Sequence, residues 1–248
     1  MDFSKVKIHC SSLGALFTEP VSKEDKLAGN LSKTAKAHLI KVYAKEYWGR
    51  ERRLETKAMQ KGTQQELVGI QLLSEVHGNH YRKNEIVLED DYIIGTPDIL
   101  HVPTLLVIDL KLSWDAETFL PNLMEKLDPM YKYQIQGYLR LSGFDRGIVS
   151  YGLVDATEKQ IMDEQRKLFY SMDAATEESP EYLKACEEIE LNMMFGDISK
   201  YERVIDKTAD RDESVINQIP AKVEKAREFL SEFHYLHTKN KLSKLLTQ

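Results

Sequence analysis

The stretch "GTPDILHVPTLLVIDLKLS" (95–113) sets Asp98, Asp109 and Lys111 against an apolar run, Leu105 to Ile108. Charged groups carried into a core are costly unless they are paired or bind a cation. Strand alternation puts Leu105, Val107, Asp109 and Lys111 on one face, apolar at its start and charged at its end. Such a strand leaves a core and enters a cleft. If residues 101–104 make a turn, Leu100 pairs with Leu105, and Asp98 lies opposite Val107, diagonal to Asp109 on the same face. Two carboxylates can then converge on one divalent cation. Oxygen ligands of this kind suit magnesium or manganese.

Two helical patterns add polar groups. Glu66, Ile70 and Leu73 follow at i, i+4 and i+7, so Glu66 borders a buried stripe and is a candidate third acid. Gln134, Tyr138 and Leu141 repeat the spacing, so Gln134 also faces inward, and a buried amide needs partners. Phosphodiester hydrolysis would use such a set. It needs a metal to polarise the phosphate and lower the pKa of a water. It needs a cation beside the attacking water, which Lys111 supplies. It needs a group to orient water or ligand, a role for Glu66 or Gln134. Each residue also has a bland reading. Glu66 pairs with a nearby lysine, Gln134 is a satisfied core amide, Tyr138 is an ordinary core aromatic, and Gly62 permits a turn.

The elements that must position these groups are legible in outline. Residues 11–17 predict a short helix capped by Ser11 or Ser12, and 18–30 a loop. Residues 31–48 and 62–76 predict helices, with 52–60 continuing as helix or loop toward Gly62, and the second helix carries a stripe of Leu67, Ile70, Leu73 and Val76. Residues 84–90, 91–100, 104–113 and 146–155 read as strands. Residues 128–143 form a helix, with Asp128 as N-cap, Pro129 at the first position and Gly143 as the stop. Residues 157–195 predict charged helices, 201–206 an extra strand, and 212–236 a helix interrupted at Pro220. This order predicts an α/β fold: one central mixed β-sheet flanked by helices, with helical additions at both ends. The 248 residues are expected to form one domain, with a core of about 9–156 and a helical elaboration over 157–248.

Bulk properties exclude several classes. No apolar stretch approaches a membrane span, and the first residues lack the apolar core of a secretory signal. The two cysteines, Cys10 and Cys186, fit neither a CxxC site nor a disulfide framework, and they exclude a four-cysteine iron–sulfur cluster in this chain. A reducing, cytoplasmic setting is expected. His9, His77, His80 and His101 lack any tight ligand spacing and read as structural or surface residues. The net charge of −6 hides a polarity: residues 33–61 carry nine bases and three acids, residues 158–197 four bases and eleven acids. The basic stretch includes Arg50, Arg52 and Arg53 and leads directly to the Glu66 helix. It is placed to guide a polyanion by phosphate contacts. Tyr43, Tyr47 and Trp48 in the same stretch can stack on bases, although helical aromatics more often belong to a core.

The motifs "GTQQE" (62–66), "GTPD" (95–98), "IDLK" (108–111) and "QIQGY" (134–138) together resemble the ordered motifs of the PD-(D/E)xK nuclease superfamily. The similarity is to the branch with a Gln-x-x-x-Tyr element, which contains RecB-type nuclease domains, lambda-type phage exonucleases and YqaJ-like viral recombinases. "HCSSLGALF" and "TKAMQKGTQQE" also look like that branch, and the motifs span residues 9–138. The resemblance implies a magnesium- or manganese-dependent DNA nuclease. Asp98, Asp109 and the Leu110 carbonyl would be metal ligands, and Glu66 would hold the metal or its water. Lys111 would position the nucleophile, Gln134 would orient the site, Tyr138 would brace its helix and Ser12 would touch a DNA phosphate. Asp109 stands where many relatives carry Glu, and the superfamily allows both. The implied activity is exonucleolytic, at double-stranded ends in a bacterial or phage-infected cell, with 5′-to-3′ resection. A single-strand annealing protein and a ring-shaped homo-oligomer are the implied partners. An endonuclease of the same fold and a non-catalytic DNA-binding module are the alternatives; the intact acidic set speaks against the latter.

Overall fold

The computed structural model of the chain describes residues 1–52, 56–174 and 176–246, with side chains as far as Lys239. In chain order the strands are β1 (Ile8–His9), β2 (Leu88–Glu89), β3 (Ile93–Gly95), β4 (Ile99–His101), β5 (Leu106–Leu112), β6 (Arg146–Gly152) and β7 (Val204–Thr208). The helices are α1 (Leu13–Phe17), α2 (Lys23–Leu27), α3 (Lys33–Trp48), α4 (Lys57–His77), α5 (Ala116–Phe119), α6 (Pro129–Ser142), α7 (Glu158–Ser171), α8 (Pro180–Met193), α9 (Glu213–Ile216) and α10 (Ile219–Leu246). The architecture is mixed α/β, with two mixed sheets flanked by helices.

The larger sheet has the order β4-β5-β6-β7: β5 is antiparallel to β4 and parallel to β6, and β6 is antiparallel to β7. The smaller sheet sets β3 between a parallel β1 and an antiparallel β2. β5 lies inside the larger sheet and is covered on both faces, as its nearly unbroken apolar run requires. Leu106, Ile108, Leu110 and Leu112 pack with Ile70, Leu72 and Leu73 of α4. Val107 joins the opposite core with Ile135 and Leu139 of α6. Gly69 lets α4 come this close: a Cβ there would lie 2.8 Å from Leu110 Cδ2.

Local signals account for the helix ends. Asp128 accepts from Met130 N, Pro129 opens α6, and Gly143 closes it at φ 72°. Thr56 accepts from Met59 N and starts α4 within the stretch read as helix or loop, so Gly62 lies inside a helix and makes no turn. Of the predicted stripe Ile70 and Leu73 are buried, but Leu67 is 67% exposed. Residues 18–30 hold a short helix, α2, whose cap Ser22 accepts from Asp25 N. The run 91–100 is two strands in different sheets, because Thr96–Asp98 turns the chain between β3 and β4. Pro220 does not interrupt the C-terminal helix. It sits in the first turn of α10, where its missing N–H breaks no helical bond.

The β4–β5 hairpin corrects the predicted register. Leu100 pairs with Val107 and His101 with Leu106, so the connection runs through 102–105. Leu105 leaves the strand for the left-handed region, at φ 49°. The shift is two residues, which keeps every side chain on its predicted face.

Candidate active site

The corrected register brings the two acids closer than expected. One step beyond the Ile99–Ile108 pair, Asp98 is level with Asp109 itself. Asp98 Oδ2 accepts the Leu110 backbone N–H at 2.6 Å. Asp109 is 2% exposed. Its Oδ1 accepts from Gln134 Nε2 at 2.8 Å, and the same nitrogen donates to the Tyr138 hydroxyl at 3.0 Å. Lys111 Nζ stands 2.6 Å from Asp109 Oδ2, a largely buried ion pair. The Tyr131 ring supports the ammonium of Lys111 from 4.9 Å.

The elements explain this convergence. β5 carries Asp109 and Lys111 past the end of β4, so they meet the face of α6 where the sheet has lost its neighbour. α6 presents Tyr131, Gln134 and Tyr138 along one side. Gly95 makes room for Tyr138: a Cβ there would lie 2.7 Å from its Cε1. From the opposite face of the sheet α4 reaches round the edge with Glu66. Glu66, Asp98, Leu110, Lys111 and Tyr131 line one cleft of about 560 Å³.

Electrostatics at the site oppose charge on the acids. Burial, and then the charge of Asp109, raise Asp98 to about 7, against the pull of the Leu110 N–H and Lys111. Burial also raises Asp109, and Lys111 only partly offsets it. Burial disfavours the Lys111 charge, but Asp109 outweighs it and holds the ammonium above the ordinary lysine range. Burial and the Asp109 charge push the Tyr138 phenol up, so it stays protonated.

The residues fit a hard divalent cation. Asp98, Asp109 and Glu66 offer carboxylate oxygens, and among the described residues Asp109 Oδ2 is met only by the ammonium of Lys111. In an extended strand the N–H and C=O of one residue leave by the same edge. The Leu110 N–H is taken by Asp98, so its carbonyl leaves by that edge, beyond the last β4 pair. Among the described residues no three His, Cys, Asp or Glu side chains form a ready-made cage. Glu66 is drawn instead to Lys83, at 2.6 Å.

A phage-related exonuclease from Haemophilus somnus 129PT superposes on this chain with a TM-score of 0.74 at 23% identity, over 94% of this chain and 97% of that one. The chain has an exonuclease fold. The alkaline exonuclease LHK-Exo from Laribacter hongkongensis superposes with a TM-score of 0.63 at 15% identity, over 98% of this chain and 96% of that one. LHK-Exo in complex with dAMP gives 0.60 at 16% identity, over 96% and 94%. No family model and no curated protein matches the sequence.

Within this fold Glu66, Asp98 and Lys111 line one cleft, and Asp109, Gln134 and Tyr138 form a contact chain behind Lys111. Ser12 is half-buried at the start of α1, outside the cleft lining, and makes no capping bond. Arg50 and Arg52 are exposed in the segment between α3 and α4, and Arg53 lies outside the described residues. Tyr43 belongs to the core, packed against Phe3 and Phe233, while Trp48 is 57% exposed. Sequence reasoning passed over Tyr131 and Lys83. Tyr131 had a signal, since it precedes Gln134 by three residues on the same helical face. Lys83 had none, being one lysine in a segment without periodicity. Among the described residues no helix is long and apolar enough to cross a membrane.

Proposed function

We propose that this chain is a divalent-metal-dependent DNA exonuclease that hydrolyses phosphodiester bonds at duplex ends. The observation that carries the reading is the pair Asp98–Asp109, set opposite each other one step beyond the Ile99–Ile108 pair, with Asp109 Oδ2 buried and met by the Lys111 ammonium at 2.6 Å. The exonuclease fold of its structural neighbours, one of them with dAMP bound, supports it.

Asp98, Asp109 and the Leu110 carbonyl would hold magnesium or manganese, with Glu66 on the facing wall. A cation bound there polarises a scissile phosphate and lowers the pKa of a water. The chain's own groups do the rest. Gln134 fixes Asp109 by Oδ1 and so leaves Oδ2 to Lys111. Tyr138, kept protonated, accepts the second Gln134 N–H and locks the amide. Lys111, charged at any working pH, orients the attacking water and offsets charge developing on the phosphate. Ser12, Arg50, Arg52 and Arg53 contact backbone phosphates, which positions the duplex without reading its sequence. Resection of this type, 5′-to-3′, exposes single strands for an annealing protein, within a cytoplasmic homo-oligomer. The proposed catalytic groups fall within 9–156 of a single domain, and 157–248 adds helices together with β7, the outer strand of the larger sheet.

The test is a time course on end-labelled linear duplex with Mg²⁺ against the same substrate with EDTA, beside covalently closed circles. Release of the label in order from one end, in Mg²⁺ alone and with circles intact, is the expected result. Loss of closed circles would turn the reading to an endonuclease. Equal hydrolysis in EDTA would reject the metal-dependent site.

A further inference from the structure

Lys83 pairs with the cleft-lining carboxylate of Glu66, the proposed chemistry does not use it, and its position is built. It lies between two anchored residues. Tyr81 is buried, and its N–H donates to Ser74 Oγ at 3.1 Å. Asn84 is buried too, and it fastens the segment to the turn that bears Asp98. Its backbone N–H donates to the Asp98 carbonyl at 2.8 Å, and its side-chain amide donates to the Pro97 carbonyl at 3.0 Å. The backbone of Lys83 is thus held one residue from a contact with a candidate metal ligand. Its side chain is 41% exposed and reaches Glu66 Oε2 at 2.6 Å. The Glu66 hydrogen bond, with the charges of Glu66, Glu85 and Asp98, holds the ammonium above the ordinary lysine range.

The balance of charge gives this pair a purpose. Two carboxylates line the cleft, Glu66 and Asp98, with Asp109 buried behind them, and two ammonium groups answer this set, Lys111 on Asp109 and Lys83 on Glu66. Lys111 is confined by the Tyr131 ring. Lys83 is partly solvated and rests on a fixed backbone, so it can leave without moving the fold. We propose that Lys83 is an exchangeable counter-ion. It neutralises Glu66 when no divalent cation is bound and yields that carboxylate when one binds, which sets the metal concentration at which the site fills. This rests on the nuclease reading above, since it takes the carboxylate cluster to be the metal site.

The test is Mn²⁺ binding to the full chain without DNA, by calorimetry, for the wild type, Lys83→Gln and Lys83→Arg. A competing exposed ion pair corresponds to roughly a two- to fivefold change in Kd. Lys83→Gln is expected to bind Mn²⁺ more tightly by that factor, and Lys83→Arg, which keeps the pair, to stay within about twofold of wild type. A merely structural pair would change the melting temperature and leave the Mn²⁺ affinity alone. Equal affinity in wild type and Lys83→Gln, or weaker binding in the variant, would overturn the exchange and leave the nuclease reading standing. No Mn²⁺ binding by the wild type would overturn both.

Discussion

Asp98→Asn offers the sharpest test of the electrostatic account, because it predicts a gain. Burial and the neighbouring Asp109 raise the Asp98 carboxyl from 3.8 to about 7. A displacement of that size corresponds to roughly 4 kcal/mol against ionisation in the folded state. Partial exposure to solvent screens it, and about 2 kcal/mol is the expected relief when the charge is removed. The sign follows from proton counting. Between about pH 4 and pH 7 the folded protein holds a proton at Asp98 that the unfolded chain has lost, so metal-free stability falls as pH rises through that window. Asn cannot titrate, yet its side-chain oxygen still accepts the Leu110 N–H that Asp98 accepts at 2.6 Å. In EDTA the variant should therefore match wild type near pH 4 and exceed it increasingly up to about pH 7, with a plateau above. At pH 8 the melting temperature should rise by about 4–8 °C for a chain of this size. Urea unfolding followed by circular dichroism, at pH 5 and pH 8, measures the difference, and the same variant should lose nuclease activity. A variant less stable than wild type at pH 8, or a gain equal at both pH values, would refute the reasoning.

Asp109→Asn and Lys111→Ala should each abolish release of end label while duplex binding in a gel-shift assay persists; full activity in either rejects the assigned site. Arg50→Glu with Arg52→Glu should weaken duplex binding and lower the slope of log K against log salt by about two, and an unchanged slope would show that this segment faces away from DNA. Gly95→Ala should lower stability by about 1–3 kcal/mol and reduce the turnover rate, because the new Cβ would lie 2.7 Å from Tyr138 Cε1 and displace the partner of Gln134; unchanged turnover would uncouple Tyr138 from the site. Leu105→Gly should raise stability by about 0.5–1 kcal/mol, by relieving a left-handed leucine at the net of backbone strain over glycine flexibility. Leu105 is 53% exposed at the hairpin tip, so activity should not change.

Periodicity alone sufficed for much of the site. An alternating strand must place Asp109 and Lys111 on one face, and a helix with Asp128, Pro129 and Gly143 at its ends must turn Gln134 and Tyr138 to one side. These are local constraints, set by two residues per pleat and 3.6 per turn, and they survived a two-residue error in the hairpin. Tertiary structure decided the rest. The length of the 102–105 connection, closed by a leucine in the left-handed region, made Asp98 level with Asp109 and not diagonal to it. No pattern in 91–100 announced that the run splits between two sheets, because each half keeps its alternation whichever partner it finds. Glu66 and Tyr131 reach the same cleft from opposite faces of the sheet, and Lys83 reaches Glu66 through the anchoring of Asn84 on Pro97 and Asp98. Contacts of that kind depend on which segments meet in space. A sequence read in windows of one helix or one strand holds the faces of its elements, and only the packed chain holds the distances between them.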